Sequence, residues 1–238
     1  IAVFGGASSG GAIVNRGVIS AITAGLHVRN HVGFLAGGIT NAGVISAGRT
    51  GVNISELATL SGGIVNSGTI IGRVGINVFD STVVGGIIDS GSIKATNRGI
   101  EIDFSEILAS KTAIDIAGPT FIGGITNFGV ISGSAGILIK SAHAVSIFDA
   151  GAIIGTGGTA IEFAGSSNTL TLGAGYTISG TVDPQSGNNT FQLGGFGSDT
   201  FDLSSIGAAA QYQGFTTFNV VGGTWTVSSA STAHWTIK

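Results

Sequence analysis

The chain has 238 residues, of which 43 are Gly; it has no Cys or Met, 9% charged residues and a net charge of −3. This composition excludes a disulfide framework and a thiolate metal site, and the nine Lys and Arg residues, scattered along the sequence, give no electrostatic footprint for nucleic acid. Mean hydropathy is +0.53, yet no apolar run reaches the roughly 20 residues of a membrane-spanning helix, because Gly, Ser, Asn or Thr interrupts each one.

A Gly-rich, charge-poor chain invites the suspicion of disorder, but 43% hydrophobic content dominated by Ile and Val supplies enough apolar surface to fold. No charged-then-apolar leader follows Ile1, so the sequence reads as a piece of a longer, processed chain.

The opening IAVFGGASSGG imitates a strand running into a nucleotide-binding glycine turn. The adjoining IVNRGVIS has strand periodicity and no helix pattern, so no nucleotide site is expected and no cofactor is implied. From Gly10 the segment GGAIVNRGVIS begins a cassette that returns as GGITNAGVIS at 37–46, GGIVNSGTI from Gly62, GGIIDSGSI from Gly85 and GGITNFGVIS at 123–132. A degenerate copy, SIFDAGAII, starts at Ser146.

A second cassette alternates with the first: GLHV from Gly25, GVNI from Gly51, GINV from Gly75, GIEI from Gly99, AIDI from Ala113, GILI from Gly136 and AIEF from Ala160. Its starts lie 26, 24, 24, 14, 23 and 24 residues apart. Periods of this size mean stacked supersecondary units.

Within each cassette the pattern has period two. Ile39, Asn41, Gly43 and Ile45 share one parity, and Thr40, Ala42, Val44 and Ser46 the other. Short strands separated by small or polar bends, without a 3.6-residue apolar period, predict an all-β architecture: a single-stranded parallel β-helix, or solenoid, with a C-terminal β cap. Coils fill residues 1–165 and the cap 166–238. Equivalent strands then stack at ~4.8 Å, and Gly at the bends supplies left-handed backbone.

Asn15, Asn41, Asn66 and Asn127 fall on one phase of this coil, where stacked amides can bond up and down the column. Asp89 and Asp149 take the same phase. A carboxylate accepts but does not donate, so those turns are expected to expose the side chain or direct it onto backbone N–H groups. The short interval between Gly99 and Ala113 marks residues 103–116 as an irregular turn or inserted loop.

The chemical candidates are few. Glu101, Asp103 and Glu106 cluster in IEIDFSE, with Asp115 nearby and Glu162 in the phase of Glu101. Two carboxylates across a groove suit a glycoside hydrolase. The opposing reading places Glu101 and Glu162 on the outward parity as solvated charges, with no Lys or Arg beside them by repeat phase. His27 and His31 have a helical metal-ligand spacing that has no such meaning on strands, and His143 and His234 stand apart, so no metal site is expected. GGFGSDTFD at 194–202 matches one calcium-binding nonapeptide with Asp199 as ligand, but calcium needs six or more oxygens from adjacent turns. Leu138, Phe128 and Val130 also take the outward parity, where exposed apolar residues offer a candidate partner-binding surface.

Beyond residue 165 the cassettes fade and aromatics concentrate, among them Tyr212, Phe215, Phe218, Trp225 and Trp235. The segments SSNTLTL, QYQGFTTFNV at 211–220 and GGTWTV at 222–227 suit a terminal cap. Together with the NxGxI coils, they make the chain resemble, over essentially its whole length, the C-terminal passenger region of bacterial type V autotransporters of the adhesin type. That resemblance implies a right-handed parallel β-helix, a cap that folds first and templates the coils, and a membrane barrel downstream. It implies export through the periplasm and outer membrane to the cell surface. It also implies adhesion to a host-cell or matrix component, or to another passenger rod. The alternatives from the same residues are a structural stalk and folding template, or a polysaccharide-degrading enzyme.

Overall fold

A computed structural model describes residues 1–3, 8–29, 34–56, 58–103, 121–141, 143–164 and 167–238. The architecture is a parallel β-solenoid. One turn runs through Thr59–Leu60, Ile64–Asn66 and Thr69–Phe79, and the next repeats it as Thr82–Val83, Ile87–Asp89 and Ser92–Asp103. Corresponding strands of successive turns pair in parallel, building one face of ten strands, a second of ten and a third of four. Among the described residues the one helical element is the single 3-10 turn Leu203–Ser205.

The period-two reading holds residue by residue. In Thr69–Phe79, Ile70, Val74, Ile76 and Val78 are buried while Ile71 and Arg73 are exposed. Because each turn repeats the last, inward residues stack in columns. One column runs Ile13, Ile39, Ile64, Ile87, Ile125, Ile147, Leu170, Phe191, Phe218, Trp235 by direct register. Its large β-branched members fill a core with the contact density of a crystal, and no turn can shift register without moving its whole apolar set outward.

Glycine enters where the bend leaves no room for a side chain. Gly38, Gly63, Gly86 and Gly124 repeat φ values of +71, +69, +68 and +69°, and a Cβ on Gly63 would stand 2.6 Å from the Gly85 carbonyl carbon of the next turn. Only Gly tolerates that combination of left-handed backbone and close approach.

The AIDI copy at 113–116 lies outside the described residues. Ile100 pairs directly with Ile137, and Ile87 with Ile125. Partners on the long face are thus 37 residues apart here, against 24 between Ile76 and Ile100.

The second ten-stranded face continues without a break through Thr169–Leu172, Asn189–Leu193, Phe215–Val220 and Trp235–Ile237. What changes in the cap is the filling. Phe191 lies 4.9 Å from Tyr212, 5.2 Å from Phe201, 5.4 Å from Phe215, 6.4 Å from Phe218 and 6.0 Å from Trp235, between ring centroids. Trp225 packs outside this cluster, 6.1 Å from Tyr176. Aromatic rings widen the core at the end of the stack and cover the last aliphatic rungs.

Candidate interaction surface

The buried amide column forms as the repeat requires. Asn15 Nδ2 donates to Asn41 Oδ1, Asn41 Nδ2 to Asn66 Oδ1 and Asn66 Nδ2 to Asp89 Oδ1, each at 2.7 Å. Asn127 Nδ2 donates to Asp149 Oδ1 at the same distance. Each amide also reaches a backbone carbonyl just beyond its partner on the next turn, as Asn127 does to Ala152 at 3.2 Å.

The two acids are not exposed: both have zero accessible surface. Backbone N–H groups do reach them, Gly91 and Gly151 donating to the respective Oδ1 at 3.3 Å. Oδ2 of each, which occupies the place of a donating Nδ2, has no partner. Burial pushes both carboxyls from 3.8 up to about 6, against the amide and backbone N–H donors that pull the other way. Asp149 ends the column, because its next register partners are Leu172, then Leu193, Val220 and Ile237.

A second column, which the cassette phase contains but the sequence reading did not single out, lies outside. Asn77 Nδ2 donates to Asn53 Oδ1 at 2.7 Å, and Asn53 Nδ2 lies 2.8 Å from His27 Nε2, itself 2.9 Å from Ser55 Oγ. His27 is thus built into an amide column. His31 lies outside the described residues, His143 and His234 are exposed, and no metal-sized group of His, Asp and Glu occurs among the described residues. Asp199 accepts from the Gly175 and Thr200 backbone N–H groups at 2.8 and 2.7 Å, which makes it a turn-fixing residue.

The same column continues through Glu101, Leu138, Glu162 and Asp183. Here two expectations fail. Glu101 is not a solvated charge: it is 9% exposed and its Oε1 sits 2.7 Å from Arg98 Nη1. The bend before the cassette carries that Arg three residues back along the same strand, a contact that repeat phase does not encode. Leu138, despite its outward parity, is 3% exposed and offers no surface to a partner.

Glu162 accepts from Gln185 Nε2 at 3.2 Å and stands in register with Asp183 on the neighbouring strand. These carboxylates lie side by side along one face, with Glu101 two strand spacings away across Leu138. They do not confront each other across a groove. Glu106 and Asp115 lie outside the described residues, as does the Asp103 side chain.

Phe128 and Val130 do reach solvent, at 56% and 37% exposure, beside Ile88 at 42%. Phe128 also meets Phe148 of the next turn, ring centroids 5.8 Å apart. The patch sits where a ladder strand bends into a long strand, and it is local to this turn, because the same bend position holds Ser67 and Ser90 on the turns before and Ala150 on the turn after.

Charge is distributed less evenly than the sequence suggests. The first 100 residues hold six basic and three acidic side chains, and the remaining 138 hold three basic and nine acidic. Coiling gathers Arg49, Arg73 and Lys94, distant in sequence, onto one lateral corner. Thr50 pairs with Val74, which places Arg49 and Arg73 at equivalent positions, and Lys94 pairs with Ile71, two residues before Arg73. All three are exposed. The described ion pairs use other cations, Arg29 with Glu56 and Arg98 with Glu101.

No family model, curated protein or solved structure matches this chain.

Proposed function

We propose that this chain is a surface-exposed adhesive rod, the passenger portion of a type V autotransporter, presented on a bacterial cell after export through the periplasm and outer membrane. The observation that carries the reading is the pair of exposed apolar side chains Phe128 and Val130, with the Phe148 ring of the next turn against Phe128 and Ile88 exposed on the turn before. Exposed apolar side chains stacked on consecutive turns form a contiguous patch, which soluble monomers seldom leave uncovered without a partner. Among the described carboxylates, Glu101 is paired with Arg98, and Glu162 and Asp183 share one sheet surface, so these three do not face each other across a space for a sugar ring.

The partner is a host-cell, matrix or bacterial surface component, or a second rod. The test is binding of the purified chain to cells and to immobilised matrix, alongside Phe128→Ser/Val130→Ser. Loss of binding in that variant at unchanged thermal stability supports adhesion. Equal binding by both proteins removes the patch from the function, and no binding by either refutes adhesion.

A stalk and folding-template role is a second reading, favoured by the inward column that runs unbroken from Ile13 to Trp235. It predicts that the cap accelerates refolding of the preceding coils.

A further inference from the structure

We infer that the corner bearing Arg49, Arg73 and Lys94 is a binding strip for a sulfated polysaccharide, the ligand of the adhesive function proposed above and dependent on that reading. The three cations occupy successive turns and so rise by about one strand separation each, ~4.8 Å along the rod, with Lys94 also displaced two residues along its strand from the Arg49 and Arg73 position. Like charges stacked on neighbouring strands repel and destabilise a sheet. Here nothing within the described protein offsets that repulsion, because none of the three has a carboxylate or hydrogen-bond partner.

The surroundings also select the ligand. The Lys94 column runs Ser20, Ser46, Ile71, Lys94, Ser132 and Ile154, so an exposed apolar Ile71 lies between hydroxyls, and the corner adds Asn97 and Ser134. The hydroxyl and amide groups are suited to sugar hydroxyls. No Asp or Glu interrupts the strip from Val18–Ala21 through the first half of Val130–Lys140. The acids that make the protein net negative lie mostly beyond residue 100, so the strip is a local positive field on an acidic rod.

Nucleic acid fits less well. No aromatic residue on the corner could stack a base, and three cations fall short of the roughly six to ten phosphate contacts typical of a duplex-binding surface. Sulfates repeating along an extended glycan instead meet a row of cations repeating along a rod, and the guanidinium fork suits the tetrahedral oxyanion.

The experiment is retention on immobilised heparin as a salt series, using the whole chain, its Arg49→Ser/Arg73→Ser/Lys94→Ser variant and an Arg49→Lys/Arg73→Lys variant. Desulfated heparin and duplex DNA serve as competitors, and cell binding is measured on the same proteins. At Lys94 the Ser variant reproduces the side chain of its register partner Ser132, all three positions are exposed, and its thermal midpoint is expected to match the parent.

The strip predicts retention of the parent, at least tenfold weaker binding by the Ser variant, binding by the Lys variant between the two because charge is kept and the guanidinium fork is lost, and no competition by desulfated heparin. The slope of log affinity against log salt should fall by about one for each cation removed. Equal retention of parent and Ser variant, or no retention of the parent at low salt, overturns the strip. Competition by DNA as strong as by heparin overturns its assignment to a glycan. Cell binding separates the two claims: a Ser variant that still adheres leaves the adhesive function standing without the strip, whereas heparin binding without cell adhesion leaves the strip without that function.

Discussion

Replacing Asp89 by Asn should stabilise the protein at neutral pH and leave it nearly unchanged in acid. The carboxyl is fully buried, accepts from Asn66 through Oδ1, and presents an unpartnered Oδ2 where every Asn of the column presents a donor. Burial raises its pKa from 3.8 to about 6. A group whose pKa is higher in the folded state contributes stability that is complete below 3.8 and is lost as pH rises through about 6. The shift of about two pH units is worth at most ~3 kcal/mol at pH 7.

The Asp89→Asn substitution would remove this cost and supply an Nδ2 facing the Asn127 rung, a bond worth about 1 kcal/mol. For a chain of this length each kcal/mol raises Tm by roughly 2–4 °C, so the combined gain at pH 7 is at most about 8–16 °C. Below pH 4 the protonated aspartic acid can itself donate, and the two proteins should melt within a few degrees of each other. Thermal or urea unfolding of both from pH 3.5 to 8 provides the measurement. A gain independent of pH, or a loss at pH 7, would falsify the assignment of Oδ2 to the donor position.

Other substitutions address the rest of the stack. Asn66→Leu removes the amide between Asn41 and Asp89 and should cost about 1–3 kcal/mol, read as a fall in urea midpoint, while pushing the Asp89 carboxyl still higher because its principal hydrogen-bond donor is lost. Gly63→Ala sets a Cβ against the Gly85 carbonyl at a φ of +69°, and the left-handed conformation alone costs about 1–2 kcal/mol; a thermal midpoint equal to the parent's would show that the bend relaxes. Phe191→Ala empties the centre of the cap's ring cluster, with an expected loss of about 3–5 kcal/mol. Its proteolysis pattern should open from the C-terminal end, and first cleavage among the N-terminal coils would place the weakest rung elsewhere.

Much of the candidate surface was legible because a strand's parity assigns each side chain a side. Phe128 and Val130 follow that rule and are exposed, and the ladder phase of Asn41 and Asn66 yields the amide bonds. Leu138 breaks it, since outward parity specifies direction and not what lies over the side chain. Glu101 breaks it differently. Its partner Arg98 sits in a bend where the strand pairing slips between Lys94 and Arg98, so its position depends on backbone geometry that no cassette alignment contains.

The sequence by itself determined the stacking unit, the inward columns and the sites where only Gly fits, because a repeat imposes the same local geometry on every turn and period two divides core from surface. Tertiary structure decided which residues of different turns meet. Turns of unequal length, and a longer interval between Gly99 and Gly136, make sequence distance a poor guide to register, which the backbone hydrogen bonds fix one turn at a time. That pairing buries Asp89 and Asp149 inside an amide column, and it brings Arg49, Arg73 and Lys94 to one corner of the rod.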